Sequence, residues 1–283
     1  MDSKTQIQEA SVAAYATQLK ADGKAQVTVA QRLRHVRAFV AWAQDDAAAE
    51  ITPSVVARFF ARPDLFRVRP ATINTMKTSI RDFFAYLHQS GLLAEDPTRL
   101  LRRARCSPPP PRALGKDACA RLLSAIESEG SVRDLAMFDL MLSTGIRVGS
   151  AVALDASDYD PHSGALRLRT TKGGHEAHVY VPKAQASRLR DYLGERSSGP
   201  LFPTSTGRRL SVRHVQRLFS RYAKAAKLSV TSPHALRHTF ATNLYERTGD
   251  LLLVQRALLH RSLASTLVYA RADDHRLRAA MGV

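Results

Sequence analysis

The sequence predicts a mainly α-helical chain with a small β-sheet in its second half, arranged as two domains. Three features carry that reading. Apolar residues recur at helical spacing through most of the chain, one short stretch alternates them with arginines instead, and four prolines run together from Pro108 to Pro111. Successive prolines lack the amide donor a helix needs and favour an extended conformation, so residues 106–112 are read as a linker. It separates a helical domain at 1–105 from a larger domain at 113–283, and 283 residues suffice for two buried cores.

In the first domain Leu33, Val36, Phe39 and Val40 follow Thr28 at helical spacing, while Arg32, Arg34 and Arg37 fall on other faces. A second segment repeats the design. Thr72 is the expected cap of a helix whose Ile73, Met76, Ile80, Phe83, Phe84 and Leu87 are apolar and whose Lys77 and Arg81 are basic; Gly91 and Asp96-Pro97 end it. The apolar positions are read as core. The basic ones, Arg32, Arg34, Lys77 and Arg81, are candidates for contact with a phosphate backbone, the alternative being solvated charge.

Helix resumes near Lys116 with Ala120, Leu122, Leu123 and Ile126, followed by a stripe of Leu135, Phe138, Met141 and Leu142 that Gly145 closes. Leu166 and Leu168 then alternate with Arg167 and Arg169. Gly173-Gly174 makes a turn, and Val179-Tyr180-Val181 returns before Pro182, a hairpin pattern. Ser232-Pro233 is a helix start, with serine as cap and proline in the first turn, for a stripe of Leu236, Phe240 and Leu244. Asp250 caps the next helix, which ends near His260-Arg261, and Ser262 and Ser265 can open a short one carrying Tyr269.

Formal net charge is +17 with 42 Lys and Arg against 25 Asp and Glu. To Cys106 the count is 16 against 10, a net of +6, which leaves +11 for the rest. Charge of one sign on both domains favours a polyanionic partner and salt-dependent affinity over an ordinary solvated surface. No apolar stretch is long enough to span a bilayer and the start, Met1-Asp2-Ser3-Lys4, is polar, so a cytoplasmic location is expected. The cysteines are Cys106 and Cys119. They have no metal-type pairing, a bridge between them would straddle the linker, and two free thiols are expected.

Arg147, Lys172, His234, Arg237, His260 and Tyr269 follow one another in the second domain, each in a distinctive local setting. Taken singly, Arg147 is a surface charge after a helix-ending glycine, Lys172 a turn lysine, and His234 compatible with a structural histidine. Together they fit a tyrosine attacking a phosphodiester. A phenol with a pKa near ~10 needs a base or nearby cations to become a nucleophile, and the phosphate under attack needs positive donors. Arginine suits bidentate contact with phosphate oxygens. His234 and Arg237, three apart near a helix start, would aim at one anion. His175-Glu176-Ala177-His178 is one residue short of the helical zinc motif and falls in a strand, so no metal site is assigned.

Those motifs resemble the tyrosine recombinase (phage-type integrase) family. The matching pieces are Thr144-Gly145-Ile146-Arg147, Thr171-Lys172-Gly173-Gly174 with Val181-Pro182, His234-Ala235-Leu236-Arg237-His238-Thr239-Phe240-Ala241-Thr242, and Leu258-Leu259-His260-Arg261-Ser262 with Ser265-Thr266 before Tyr269. The first hundred residues look, more loosely, like that family's helical core-binding domain, and no arm-binding module is expected before it. The resemblance implies a two-domain DNA clamp in which Tyr269 forms a 3′-phosphotyrosyl bond and releases a 5′-hydroxyl. Arg147 and Arg237 would bind the nonbridging oxygens, Lys172 would protonate the leaving oxygen, His234 would accept the tyrosine's proton and His260 would hydrogen-bond the phosphate. No cofactor, metal or nucleotide is implied.

The chain departs from the family pattern at Ser150, where an acidic residue is common, at Ala235, where aspartate is frequent, and at Leu259, where glycine usually precedes the histidine. The resemblance further implies site-specific recombination in integration, excision or resolution, the work of mobile genetic elements or replicon maintenance. The partner would be double-stranded DNA with inverted-repeat sites, bound as a homo-tetramer. The segment Ala272 to Val283, with Leu277, Ala280 and Met281 at helical spacing, would be the exchanged tail, with docking inside one chain as the alternative. Type IB topoisomerase chemistry and a DNA-binding protein that has lost catalysis are the competing readings.

Overall fold

The computed structural model describes residues 9–46, 50–106, 113–169, 176–259, 266–270 and 281. It is mainly helical with one two-stranded sheet, the architecture the periodicities predict. The chain divides into two compact units, residues 1–107 and 108–283.

The first unit comprises α1 (Glu9–Ala21), α2 (Gln26–Asp45), α3 (Pro53–Phe60), a 3-10 turn (Pro63–Arg67) and α4 (Pro70–Gln89). Val36, Phe39, Phe59, Ile80, Phe83 and Phe84 are buried at its centre. Phe39 meets Phe59 and Phe84 edge-on, with centroids 5.0 and 5.5 Å apart, a geometry worth about 0.5–1.5 kcal/mol per pair beyond area burial. Thr72 does not cap α4. The helix opens at Pro70 with Arg69 as cap, because proline's fixed φ and missing N–H suit a first helical position.

The second unit runs α5 (Lys116–Glu129), α6 (Val132–Thr144), α7 (Val148–Ala153), a 3-10 turn (Ala156–Asp158), β1 (Ala165–Leu168), β2 (Ala177–Tyr180), α8 (Lys183–Leu193), α9 (Val212–Ala225), α10 (His234–Thr248), α11 (Leu251–Ala257) and α12 (Leu267–Ala270). β1 and β2 are antiparallel, with Leu166 opposite Val179 and Leu168 opposite Ala177. Leu166, Leu168 and Val179 are buried and Tyr180 is exposed, the alternation a half-buried hairpin requires. The turn at Gly173-Gly174 and the proline run lie outside the described residues.

α6 is the central helix, packed by α5, α8 and α10. Ser131 caps it by accepting from the Asp134 amide. Two acids on it are buried and held: Asp139 by Arg188 of α8 at 2.5 Å, and Asp134 by Arg133 and by the Tyr222 hydroxyl at 2.6 Å. A buried carboxylate without such partners would cost several kcal/mol, so these contacts fix how α6 sits against its neighbours. Cys106 and Cys119 are both free.

Candidate active site

Helix ends place Arg147, His234 and Arg237. α6 stops at Gly145, whose φ of +66° is a left-handed conformation that glycine adopts without penalty. A second constraint falls on the same residue. A Cβ there would lie 2.4 Å from the Phe240 ring, so the turn fits against α10 only because Gly145 has none. Arg147, two residues on, caps α7 and is exposed.

α10 starts one residue later than the Ser232-Pro233 reading expects. Pro233 takes the cap position in helical conformation, and the Ser232 hydroxyl accepts from the His234 amide at 3.3 Å. The same serine still satisfies a free first-turn donor. His234 and Arg237 therefore stand in the first turn, as expected. Arg237 is 3% exposed and donates to the Gly145 carbonyl and to the Leu258 carbonyl, each at 2.7 Å. It ties the α6 turn, α10 and the end of α11 together.

Arg147, His234 and Arg237 line one cavity of about 460 Å³ with Ser150, Gln216 and Leu259 among its other walls. Burial, and then the neighbouring Arg147, lowers the Arg237 pKa to about 10, so it remains a cation at neutral pH. His234 is reached by solvent, yet burial of its ring lowers its pKa, with Arg237 and Arg147 adding to the effect. The imidazole is neutral at pH 7 and able to accept a hydrogen bond. Where a carboxylate was expected beside Arg147 stands Ser150, and among the described residues Arg147 forms no ion pair. Nor do the described residues gather three or more His, Cys, Asp or Glu as a metal would need.

Asp250 caps α11 by accepting from the Leu252 and Leu253 amides. After α11, Leu259 adopts φ +52°. A residue other than glycine in that region costs about 1–2 kcal/mol, so the place where glycine was expected is strained here. His260 and Lys172 lie outside the described residues.

Tyr269 is on α12, which packs on α10, and is 5% exposed. Its ring joins a small apolar cluster with Ala241, Leu244, Val254 and Leu258. Burial raises its pKa while Arg237 and Arg147 pull it down. Its hydroxyl stands 3.0 Å from Nδ1 of His238, a residue that sequence reasoning did not single out. The signal was present: His238 comes four residues after His234 and so shares its helix face, and the rings meet edge-on at 4.7 Å.

In the first unit, Arg32 is paired with Asp82 at 2.8 Å, and Lys77 donates to the Arg102 carbonyl at 2.8 Å with its ammonium over the Phe60 ring. Burial lowers the Lys77 pKa. Arg34 and Arg81 are exposed and without an ion pair among the described residues.

The phage integrase family model matches residues 112–276. Tyrosine recombinase XerC of Chromobacterium violaceum is 37% identical over 207 residues, 71% of this chain and 69% of the relative. Tyrosine recombinase XerD of Ralstonia nicotianae is 33% identical over 219 residues, 74% of this chain and 71% of the relative. Among solved structures, XerH site-specific recombinase bound to palindromic difH substrate, in a post-cleavage complex, aligns with a TM-score of 0.76 at 20% identity, covering 95% of this chain and 84% of that one. A lambda integrase dimer bound to a COC′ core site aligns with a TM-score of 0.74 at 20% identity, covering 93% and 94%. At that identity the structural likeness speaks for the fold alone, but the sequence matches span most of the chain. The chain belongs to the phage integrase family and is a tyrosine recombinase, an enzyme that breaks and rejoins DNA strands by transesterification.

Proposed function

We propose that this recombinase exchanges strands between specific duplex sites through a covalent bond to Tyr269. The observation that carries the reading is the Tyr269 hydroxyl, anchored on α12 against α10 and within electrostatic reach of both Arg237 and Arg147. The phenol oxygen attacks the scissile phosphorus, a 3′-phosphotyrosyl ester forms, and the bond to the 5′-oxygen breaks. Arg147 and Arg237 bind the nonbridging oxygens as negative charge builds on them. Two carbonyls hold the Arg237 guanidinium, which leaves three of its five N–H donors for the phosphate. His234, neutral at pH 7, takes up the phenolic proton, Lys172 protonates the departing 5′-oxygen and His260 hydrogen-bonds the phosphate. Attack by the 5′-hydroxyl of another strand reverses the sequence, so no cofactor is consumed.

Residues 1–105 serve as the core-binding domain, 106–112 as the linker and 113–283 as the catalytic domain. Arg34 and Arg81 are the freer donors for backbone phosphates. Arg32 and Lys77 would reach DNA only by sharing or leaving their present partners. The enzyme works in the cytoplasm on paired inverted-repeat sites as a homo-tetramer, with residues 272–283 exchanged between protomers, in integration, excision or resolution for a mobile element or replicon. Lambda integrase, solved as a tetramer bound to a Holliday junction, offers a precedent for that assembly.

Tyr269→Phe tests the assignment. On a nicked suicide substrate the wild type should give a band that survives denaturing electrophoresis, and the variant should bind the site but give none. A covalent band from the variant would refute the role of Tyr269.

A further inference from the structure

His238 is outside the six positions discussed above, yet among the described residues it stands in hydrogen-bond contact with the Tyr269 hydroxyl. The two rings lie 5.8 Å apart, inclined at 58°, and the imidazole also meets the His234 ring edge-on at 4.7 Å. Apolar residues hold the rest of the tyrosine, so its oxygen is the end whose place depends on a polar partner. Tyr269 lies on α12, which packs on α10.

We propose that His238 is the positioning residue of the nucleophile: its Nδ1 accepts the hydrogen bond of the Tyr269 hydroxyl and sets where the phenol oxygen stands relative to Arg147 and Arg237. The proposal rests on Tyr269 being the nucleophile. A misplacement of about 1 Å can cost a reaction on the order of a hundredfold, so one hydrogen bond at the attacking atom is enough to matter.

The protonation states fit an acceptor. Burial, with His234 and Arg237, lowers the His238 pKa to about 4, and burial raises that of Tyr269. At neutral pH the phenol keeps its proton and the imidazole is uncharged, with one ring nitrogen free to accept. A phenol donating to Nδ1 selects the tautomer that carries hydrogen on Nε2. Before attack the contact is a neutral hydrogen bond with no proton transferred; the hydroxyl hydrogen turns from His238 to His234 as the oxygen attacks, and His238 acts through Tyr269, not on the phosphate.

Three substitutions in the full-length protein separate this role from packing. The amide of His238→Asn puts an acceptor close to the place of Nδ1, His238→Leu keeps comparable bulk with no acceptor, and His238→Gln moves the amide toward the place of Nε2. Single-turnover cleavage of the suicide substrate should be within about fivefold of wild type for Asn and slower by about 30-fold or more for Leu and Gln, with half-site affinity within about twofold throughout. A packing role would place Leu above Asn. That order, or wild-type and faster rates in all three, overturns the proposal. Thermal melts exclude unfolding, and if Leu does not fold, the Asn and Gln pair decides by the same criterion. Tyr269→Phe runs alongside: an adduct there would remove the nucleophile assignment itself, whereas loss of the adduct with no difference among the His238 variants removes only the positioning role.

Discussion

Arg237 donates a 2.7 Å hydrogen bond to the backbone carbonyl of Gly145, the residue whose left-handed turn presents Arg147. One arginine of the site is thereby built into the scaffold that aims the other. The two should fail differently when removed. Arg147 is exposed, so Arg147→Ala should slow cleavage at least about a hundredfold, the effect of losing one transition-state donor, and leave the melting temperature nearly unchanged. Arg237→Ala should slow cleavage as much and also destabilise the fold by about 2–4 kcal/mol, because two buried carbonyls lose their donor. Urea denaturation beside single-turnover kinetics checks both. Equal stability of the two variants would contradict the scaffold role.

At Leu259 backbone strain and side-chain packing oppose each other. Its φ of +52° favours glycine, while its side chain packs half-buried against the core. Truncation to alanine loses the packing and keeps most of the strain, whereas glycine loses the packing and relieves the strain, worth about 1 kcal/mol. Leu259→Gly should therefore be more stable than Leu259→Ala, the reverse of the usual order. Denaturation midpoints of the two variants decide it, and a more stable alanine variant would mean that φ carries no strain.

Much of this site was legible because helix ends announce themselves in sequence. Gly145 and Asp250 are residues whose chemistry terminates or starts a helix, and the structure uses each in that way. What was not legible depended on tertiary contacts. Spacing puts His238 on the helix face of His234, but its role shows only when α12 brings Tyr269 against it, and the Phe240 contact that makes Gly145 irreplaceable spans 95 residues of sequence. The expected cap at Thr72 missed the proline at Pro70, whose fixed φ opens the helix two residues earlier.

Arg169, the residue after β1, offers a link toward Lys172 three positions on. It donates to Asp158 and to Asp155, each at 2.7 Å, and Asp155 is also held by Arg209, which donates to the Val152 and Leu154 carbonyls at the end of α7. The base of the hairpin is thus braced to the helix that Arg147 begins. Arg169→Ala should slow cleavage, and a substrate with sulfur in place of the leaving 5′-oxygen, which needs little protonation, should restore most of the loss, as it should for Lys172→Ala. If sulfur rescues Lys172→Ala but not Arg169→Ala, the brace does not serve the acid.

Three histidines set the acid side of the stability profile. His35, bonded to Ser79 at 3.0 Å, His234 and His238 all have lowered pKa values, with burial the largest cause in each. A histidine that takes a proton more readily when unfolded contributes stability in full above its unfolded pKa of about 6.5, and loses it as pH falls toward the folded value, about 4 for His238. Asp139, whose pKa burial raises, acts in the opposite sense, one group against three. The melting temperature should fall steadily from pH 7 to pH 5, and His35→Gln should flatten the slope. A flat or rising profile for the wild type would show that these rings are not kept neutral by the fold.

The segment after Arg271 bears on assembly. Asp273 and Asp274 precede Leu277, Ala280 and Met281, and Met281 is 72% exposed, so the apolar side of this short stretch needs a surface to cover it. In the second unit a groove of about 670 Å³ is lined by Leu142, Phe240, Leu244 and Leu253, and also by Arg247 and Arg256, which complement the two aspartates. Leu253 is 42% exposed there. If the tail of one protomer occupies this groove on the next, ending the chain at Arg271 should leave half-site binding intact while weakening cooperative filling of paired sites and recombination. Leu253→Asp, which puts a charge on the groove and keeps the tail, should reproduce the defect. Mixing the two defective proteins gives the sharpest outcome: the truncated chain still has a groove and the Leu253→Asp chain still has a tail, so a mixture should recover part of the cooperative occupancy that neither shows alone. Native gel shifts on half and full sites read all of these, and a truncated protein that fills paired sites and recombines them like the intact chain would rule out the exchanged tail.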